Sequence, residues 1–293
     1  MKKREADKMT LEQYMRELWL MDKQYGREEE LYPLINMLLR DGANTEKLSI
    51  RDVNKGQSAK NVESRKYIDG FGSFPDLAIF GENFPEGQEP KNIEEGENTI
   101  LKNIYGCVEA KCIGSDLIEC LDPNTIAISC DKKKTYYVNK KNTSSLNGSG
   151  GKANDEGQLL GEVLWYGKVL YTNGVIWKYY KLSQKSGKEI NALREKWFIA
   201  DRNNGDIFQN GMNPHKNWNE ERKTWVFEQC EEEKLEITIK SEEIGDLTEI
   251  YEKIKDNKIK DKTSIPTFDS QDYDKWKKFK TNLASIDWTE VIF

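Results

Sequence analysis

The sequence contains a single histidine, His215, in 293 residues. This scarcity argues against catalytic sites that are built on histidine, such as zinc hydrolases, histidine-metal nucleases and Ser-His-Asp triads. The five cysteines form no C-x-x-C pair and their number is odd. That pattern favours reduced thiols over a zinc site or a disulfide framework, and reduced thiols are typical of a cytoplasmic protein.

Long apolar segments are also missing. No run approaches 18 apolar residues, and the N-terminal stretch MKKREADKMTLEQ is not followed by an apolar segment. The sequence therefore predicts neither a membrane span nor a signal peptide, and we expect no membrane contact. The stretch GSGGK (148–152) lacks the flanking residues of a phosphate-binding loop, because Leu146 and Ala153 stand where glycine and Ser or Thr are needed. A nucleotide-driven motor is therefore not expected in this chain.

The charge is slightly acidic, with 45 Lys and Arg against 51 Asp and Glu. Any surface that binds nucleic acid must therefore be local. The best local candidate lies between residues 131 and 152, where six lysines and two tyrosines accompany one acid, Asp131. The lysines that we predict to contact phosphates are Lys132, Lys133, Lys134, Lys140 and Lys141. A solvated loop without such contacts is an equally good interpretation of this segment.

Apolar periodicity predicts an α/β fold, with a mixed central β-sheet flanked by helices. Thr10 and Gln13 have the spacing of a capping box at the start of the first helix. Asn173-Gly174 stands between two strand-like runs and favours a tight hairpin turn. In order, the predicted elements are helices 10–25 and 27–40, strands 47–53, 76–80 and 104–113, helix 158–167 and the hairpin 168–182.

Three charged residues stand in apolar strands. Asp76 begins the strand DLAIF directly after Pro75, and Glu109 and Lys111 lie two apart in YGCVEAKCI, so that both point to one face. If the strands pair, two carboxylates and an ammonium meet at one end of the sheet. Carboxylates bind hard cations through oxygen, and a lysine stabilises charge on a phosphate, so this set suits magnesium-dependent phosphodiester cleavage.

The context of these residues is more specific than the pattern itself. E-x-K occurs four times in the chain, but only Glu109 and Lys111 lie inside an apolar strand, and Pro-Asp occurs once. Two alternatives stay open at this point. Asp76 could be a turn or cap residue, and Glu109 and Lys111 could take part in a cross-strand ion pair.

With Pro75-Asp76 as "PD" and Glu109-Ala110-Lys111 as "EAK", the sequence resembles the PD-(D/E)XK nuclease superfamily. The order of the predicted elements is similar to the αβββαβ core of that superfamily. The stretch YTNGVIWKYY (171–180) is similar to a hairpin in the nuclease domains of type I restriction subunits and their stand-alone relatives. The resemblance implies a restriction-endonuclease-like fold over roughly residues 27–182.

The resemblance also implies roles for individual residues. Asp76, Glu109 and the carbonyl of Ala110 would bind Mg²⁺, for which Mn²⁺ substitutes, and Lys111 would act on the attacking water. Gln158 would orient substrate or lysine, although the related pattern is Q-x-x-x-Y and position 162 is Glu here.

Many superfamily members also place a glutamate of the first helix near the metal. Glu28 shares a helical face with Leu31 and Ile35, whereas Glu30 is in register with Leu34. We favour Glu28, and Glu30 stays open. The alternative is that the three glutamates at 28–30 only favour the positive end of the helix dipole.

These expectations divide the chain at residue 182. Residues 1–182 form a nuclease core with an insertion at 113–157, and residues 183–293 form a C-terminal extension that either lengthens the sheet or serves specificity or oligomerisation. The expected function is a magnesium-dependent DNA endonuclease of restriction or phage-defence type. It would act on double-stranded DNA as a homodimer or with a partner subunit. The alternatives are a catalytically unused nucleic-acid-binding module, a subunit of a larger complex, and an RNA-directed nuclease.

Overall fold

The computed structural model describes residues 9–41, 47–53, 67–71, 74–89, 96–117, 127–128, 152–203, 229–230, 232–233, 235, 237–260 and 267–293. Most of the lysine-rich segment, including the five lysines expected to contact phosphates, lies outside these residues.

One mixed sheet organises the described part of the chain, in the strand order β1-β2-β3-β5-β6-β7-β4. Only the pairing of β3 with β5 is parallel among the described pairs, and the others are antiparallel. The strands are β1 (Leu48–Asp52), β2 (Leu77–Gly81), β3 (Ile104–Ala110), β4 (Ala127–Ile128), β5 (Lys168–Thr172), β6 (Ile176–Leu182) and β7 (Ile237–Asp246).

Helices cover both faces of this sheet, so the predicted α/β class with a mixed central sheet is confirmed. They are α1 (Leu11–Gln24), α2 (Leu31–Arg40), α3 (Lys152–Tyr166), α4 (Gln184–Asn203), α5 (Thr248–Lys260) and α6 (Ser270–Ala284). Apolar side chains of α1, α2, α5 and α6 share one core cluster, and those of α3 and α4 share the other. Successive side chains of β2 point to opposite faces of the sheet and so enter different clusters. Leu77 and Ile79 face the first cluster, while Ala78 and Phe80 face the second.

The predicted first two helices are present with small changes. The capping box of α1 is confirmed, since Thr10 Oγ1 accepts from the Gln13 N–H and Gln13 Oε1 accepts from the Thr10 N–H. The second helix begins at Leu31 rather than at 27, because Glu28–Glu30 form a separate 3₁₀ turn. Pro33 lies in the first turn of α2, where its missing N–H has no helical partner to lose.

Two further predicted boundaries are wrong. Strand β3 ends at Ala110 rather than at 113, because the chain turns away from β5 after Lys111. Helix α3 begins at Lys152 rather than at 158, so that residues 152–157 are helical. Its first six residues include few apolar ones, and apolar periodicity therefore could not reveal them.

The hairpin of β5 and β6 is confirmed, but its loop is longer than a two-residue turn. The register pairs Thr172 with Trp177, which leaves four residues between them. Asn173 Oδ1 accepts hydrogen bonds from the N–H groups of Val175 and Ile176, and these bonds stabilise the wider loop.

The described part of the chain after residue 183 adds one strand to the same sheet and helices that pack on it. Strand β7 pairs along β6, and α6 packs against β7 and α2. The region thus lengthens the sheet, while the division of the chain at residue 182 stays a prediction. None of the helices in the described part of the chain has the length and apolar character needed to span a bilayer.

Candidate active site

Strand pairing brings Asp76 and Glu109 together. Strands β2 and β3 are antiparallel, with Leu77 opposite Val108. Asp76 directly precedes β2, so it lies across from Glu109, one residue further along β3. Only about 3% of each residue is exposed. The two carboxylates predicted from the sequence therefore lie at the same end of the sheet, in a setting that is nearly closed to solvent.

Asp76 is fixed by contacts from two other elements. Its Oδ2 accepts a 2.7 Å hydrogen bond from the backbone N–H of Ala110, and its Oδ1 accepts one from the hydroxyl of Tyr32 on α2. These contacts tie the carboxylate to the neighbouring strand and to a helix, which a residue that only caps its own turn would not need. Sequence reasoning missed Tyr32, because nothing local shows which turn of α2 meets the end of β2.

Lys111 and Glu109 point to the same face, as their spacing predicts. Lys111 Nζ lies 2.6 Å from Glu109 Oε1, and 14% of the lysine side chain is exposed. Glu109 and Lys111 therefore do form an ion pair, as the alternative interpretation expected. The pair joins the end of β3 to the residue that follows it, and it does not link two paired strands. Because the ion pair is largely shielded from solvent, its Coulombic attraction is stronger than that of a pair at a protein surface.

Helix α3, which packs on β3, adds the amide of Gln158 and a third carboxylate to the site. Gln158 Nε2 donates to Glu109 Oε1 at 2.8 Å and to Glu162 Oε1 at 3.1 Å. Gln158 thus reaches the predicted site. Glu162 is completely buried and was not predicted as a site residue. Its position four residues after Gln158, on the same helical face, is the signal that could have revealed it.

Burial and like charges raise the pKa values of two of these carboxyl groups. The pKa of Glu109 lies well above its ordinary value, first because of burial and then because of the charges of Glu162 and Asp76, while Lys111 opposes the shift. Burial raises the pKa of Glu162 to about 8, again against the influence of Lys111. Three carboxyl groups therefore face one ammonium in a region of low dielectric.

Two carboxylate oxygens of this group have no hydrogen-bond partner. Glu109 Oε2 and Glu162 Oε2 are both buried and unsatisfied. Leaving a buried polar atom unsatisfied costs about 1–3 kcal/mol. Protons or a cation would remove this cost, and the donor set is entirely oxygen, as Mg²⁺ prefers.

The described residues do not form a complete metal cage. Within them, no group of three or more Asp, Glu, His or Cys side chains is arranged to hold an ion. Mg²⁺ is usually held by one or two carboxylates together with waters and phosphate oxygens, so Asp76 and Glu109 fit that mode of binding. Ala110 lies fully buried beside them, with its N–H committed to Asp76.

Glu28 and Glu30, the two candidates on the first helix, lie in the 3₁₀ turn before α2 and are half-buried. Tyr32, in the first turn of α2, donates a hydrogen bond to Asp76. The choice between the two glutamates therefore stays a prediction.

Comparisons with protein-family models, with curated proteins and with solved structures found no match for this chain. The functional argument consequently depends on the geometry and chemistry of the site.

Proposed function

We propose that the protein is a magnesium-dependent endonuclease of the PD-(D/E)XK type that cleaves DNA in restriction or phage defence. The observation that carries this proposal is the meeting of Asp76, Glu109 and Lys111 at the ends of two paired, buried strands. Burying two carboxylates and one ammonium lowers the stability of the fold, so a role in stability does not explain why they are there. Phosphodiester cleavage with a divalent cation is the chemistry that uses this combination.

Each residue has a role in the proposed reaction. Asp76 and Glu109 would hold the cation, and the carbonyl of Ala110 would be a further ligand. A bound Mg²⁺ supplies a Lewis acid, which polarises the phosphate and activates a water. Lys111 exchanges its contact with Glu109 for one with the attacking water or the phosphate oxygens, where its charge stabilises the transition state. Gln158 orients Glu109 through the hydrogen bond to Oε1.

A cleavage assay tests the proposal. Plasmid, single-stranded DNA and RNA are incubated with the protein in Mg²⁺, Mn²⁺ or EDTA, beside the variant Asp76→Asn. Asn can accept from the Ala110 N–H and donate to the Tyr32 hydroxyl, so the variant should fold while lacking the charge. We expect DNA cutting that depends on the metal and is lost in the variant.

Other outcomes lead to the alternatives. Cutting of RNA alone would make the protein an RNA-directed nuclease. Cation binding without any cutting would indicate that a partner subunit is missing or that the DNA lacks the sequence or modification that the protein recognises. The loss of both would leave a nucleic-acid-binding module. Because cleavage of both strands often uses two active sites, sedimentation with and without duplex DNA tests the proposed homodimer.

A further inference from the structure

The backbone that carries Lys111 leaves the sheet at that residue. Its N–H donates to the carbonyl of Thr172 at 2.7 Å, and the following residues to 117 are in neither helix nor strand. We name residues 111–117 the lysine loop. In this loop the N–H and hydroxyl of Ser115 both donate to the carbonyl of Cys112, which closes a tight turn. The direction in which Lys111 enters the site therefore depends on what holds this turn against the sheet.

Asn173 provides that contact. Its Nδ2 donates to the carbonyl of Ser115 at 2.7 Å, while its Oδ1 accepts from the N–H groups of Val175 and Ile176 at 2.9 and 2.7 Å. Only 2% of Asn173 is exposed. One amide thus shapes the β5–β6 loop with its oxygen and holds the lysine loop with its nitrogen, a combination that needs both a donor and an acceptor.

The β5–β6 loop is itself fixed to the rest of the protein. The carbonyl of Gly174 accepts from the hydroxyl of Tyr14 at 2.6 Å and from Trp177 Nε1 at 3.2 Å. Gly174 has a φ of +83°, and a Cβ at this position would lie 2.9 Å from side-chain atoms of Leu18 and Leu31. Asn173 therefore projects from a rigid support that is anchored on α1 and the start of α2.

The two contacts from this hairpin reach the lysine loop at different positions. Thr172 holds the first residue of the loop, Lys111, and Asn173 holds the fifth, Ser115. The loop also packs on the two core clusters through Ile113 and Leu117. Apolar packing is not directional, so the hydrogen bonds with Thr172 and Asn173 define how the backbone between these side chains is oriented. Loss of the second contact should therefore change where the Lys111 ammonium lies without removing any group that touches the cation or the phosphate.

We propose that Asn173 is a positioning residue for Lys111, acting through its hydrogen bond to the carbonyl of Ser115. The inference rests on the proposed nuclease function. The side chain contacts neither Asp76 nor Glu109 in any of its three hydrogen bonds, so its effect on the reaction passes through the lysine loop.

The variant Asn173→Asp tests this role, because Asp keeps the acceptor for Val175 and Ile176 but cannot donate to Ser115. Asn282 offers a matched control. Its Nδ2 also donates to a backbone carbonyl, that of Ile244 at 3.0 Å, but it lies on α6. Asn282→Asp thus removes an equivalent bond elsewhere. We measure kcat and KM on DNA, cation affinity, and amide hydrogen exchange across residues 111–117 in both variants.

We expect Asn173→Asp to lower kcat by about 10–100-fold, since a small misplacement of a reacting group has effects of that size. KM and cation affinity should stay within about twofold of the wild type, because the groups that bind are unchanged. Exchange across the lysine loop should become faster. Asn282→Asp should alter neither kcat nor this exchange, even where its melting temperature falls as much. If Asn173→Asp does not fold, Asn173→Ser, which keeps an acceptor and shortens the side chain, takes its place.

Several results would overturn the inference. Equal losses of kcat in the two variants would reduce Asn173 to a general stabilising role, and an unchanged kcat would remove it from the reaction. In both cases the nuclease function would stand. If the wild type neither binds a cation nor cuts any substrate, the proposed function fails. Hydrogen exchange then still decides whether Asn173 holds the lysine loop, and unchanged exchange would reject that as well.

Discussion

The ammonium of Lys111 lies 2.6 Å from Glu109 Oε1, and it joins the residue directly after β3 to a carboxyl group of that strand. This pair contains the one ammonium that the described contacts place among the carboxyl groups of Asp76, Glu109 and Glu162. The influence of Lys111 lowers the pKa values of both glutamates, against the effect of burial. Lys111 thus serves two purposes in the proposed site, since it opposes the rise in the pKa of Glu109 and would be the group that meets the phosphate.

Replacing Lys111 with Ala should abolish cutting while largely sparing cation binding. Loss of one preorganised charge at a reacting centre typically slows a reaction by about 10²–10³-fold. Because the pKa of Glu109 should rise further without the lysine, cation affinity is best compared by calorimetry at high pH. Lys181→Ala is the control, since it breaks a Lys–Glu pair between β6 and the C-terminal residue Glu290, away from the site. Equal loss of cutting and cation binding in Lys111→Ala would contradict the assigned role.

Tyr32→Phe should weaken both stability and activity to a moderate degree. The hydroxyl of Tyr32 donates to Asp76 Oδ1, and hydrogen bonds to charged groups contribute about 1.5–3 kcal/mol. With the bond removed, Asp76 is held less firmly and cutting should fall roughly tenfold, as expected for a shift of a supporting group.

Tyr273→Phe is the matched control for Tyr32→Phe, because Tyr273 donates to the carboxylate of Glu12 on the surface, far along the chain from the site residues. Thermal unfolding and cleavage rates are measured for both variants. A fall in melting temperature of Tyr32→Phe without any change in cutting would show that Tyr32 is structural only.

Patterns along the chain predicted much of the sheet and part of the site. Period-two alternation and the position of Glu109 and Lys111 inside an apolar strand were sufficient to place these side chains on one face. Strand pairing then follows from the chain order. In contrast, which residue of α2 reaches Asp76 depends on how the helix crosses the sheet, and that is fixed by packing between distant segments. The contact from Tyr32 therefore could not be predicted.

Two other features that were not predicted do leave a pattern in the sequence. Helix α6 was not predicted, although its buried residues Trp276, Phe279 and Leu283 have helical spacing. Lysines fill most of the positions between these residues and obscure the apolar spacing. Glu162 was noted only as a departure from a related pattern, yet it follows Gln158 by one helical turn. The apolar pattern identifies the buried face of a helix, but it does not show which polar residues on that helix are also buried.

Cation affinity should increase with pH over a range in which ordinary carboxylates no longer titrate. Burial and the neighbouring carboxylates raise the pKa of Glu109, so protons compete with the cation for it above the usual carboxyl range. Calorimetry with Mg²⁺ from pH 6 to pH 9 should show tighter binding at each step until Glu109 is fully ionised. Glu109→Gln should bind weakly at every pH. A constant affinity across this range in the wild type would show that Glu109 is already ionised or does not bind the cation.

Glu162→Gln should make the protein more stable at alkaline pH. Burial raises the pKa of Glu162 from 4.5 to about 8 in the folded protein. Between these values the folded protein keeps a proton that the unfolded chain releases, so the stability of the wild type falls as pH rises through this window. Gln binds no proton there, and it can still accept from Gln158. The difference in unfolding free energy should therefore grow from near zero at pH 5 to roughly 2 kcal/mol or more at pH 8.

Chemical denaturation in EDTA, repeated from pH 5 to pH 9, measures this difference without interference from a bound cation. Glu17→Gln on the exposed face of α1 is the control for the replacement of a carboxyl group by an amide. A curve for Glu162→Gln that runs parallel to that of the wild type would show that Glu162 ionises alike in the folded and unfolded states. The third carboxyl group would then impose no cost on the fold, and the charge imbalance inferred for the site would be wrong.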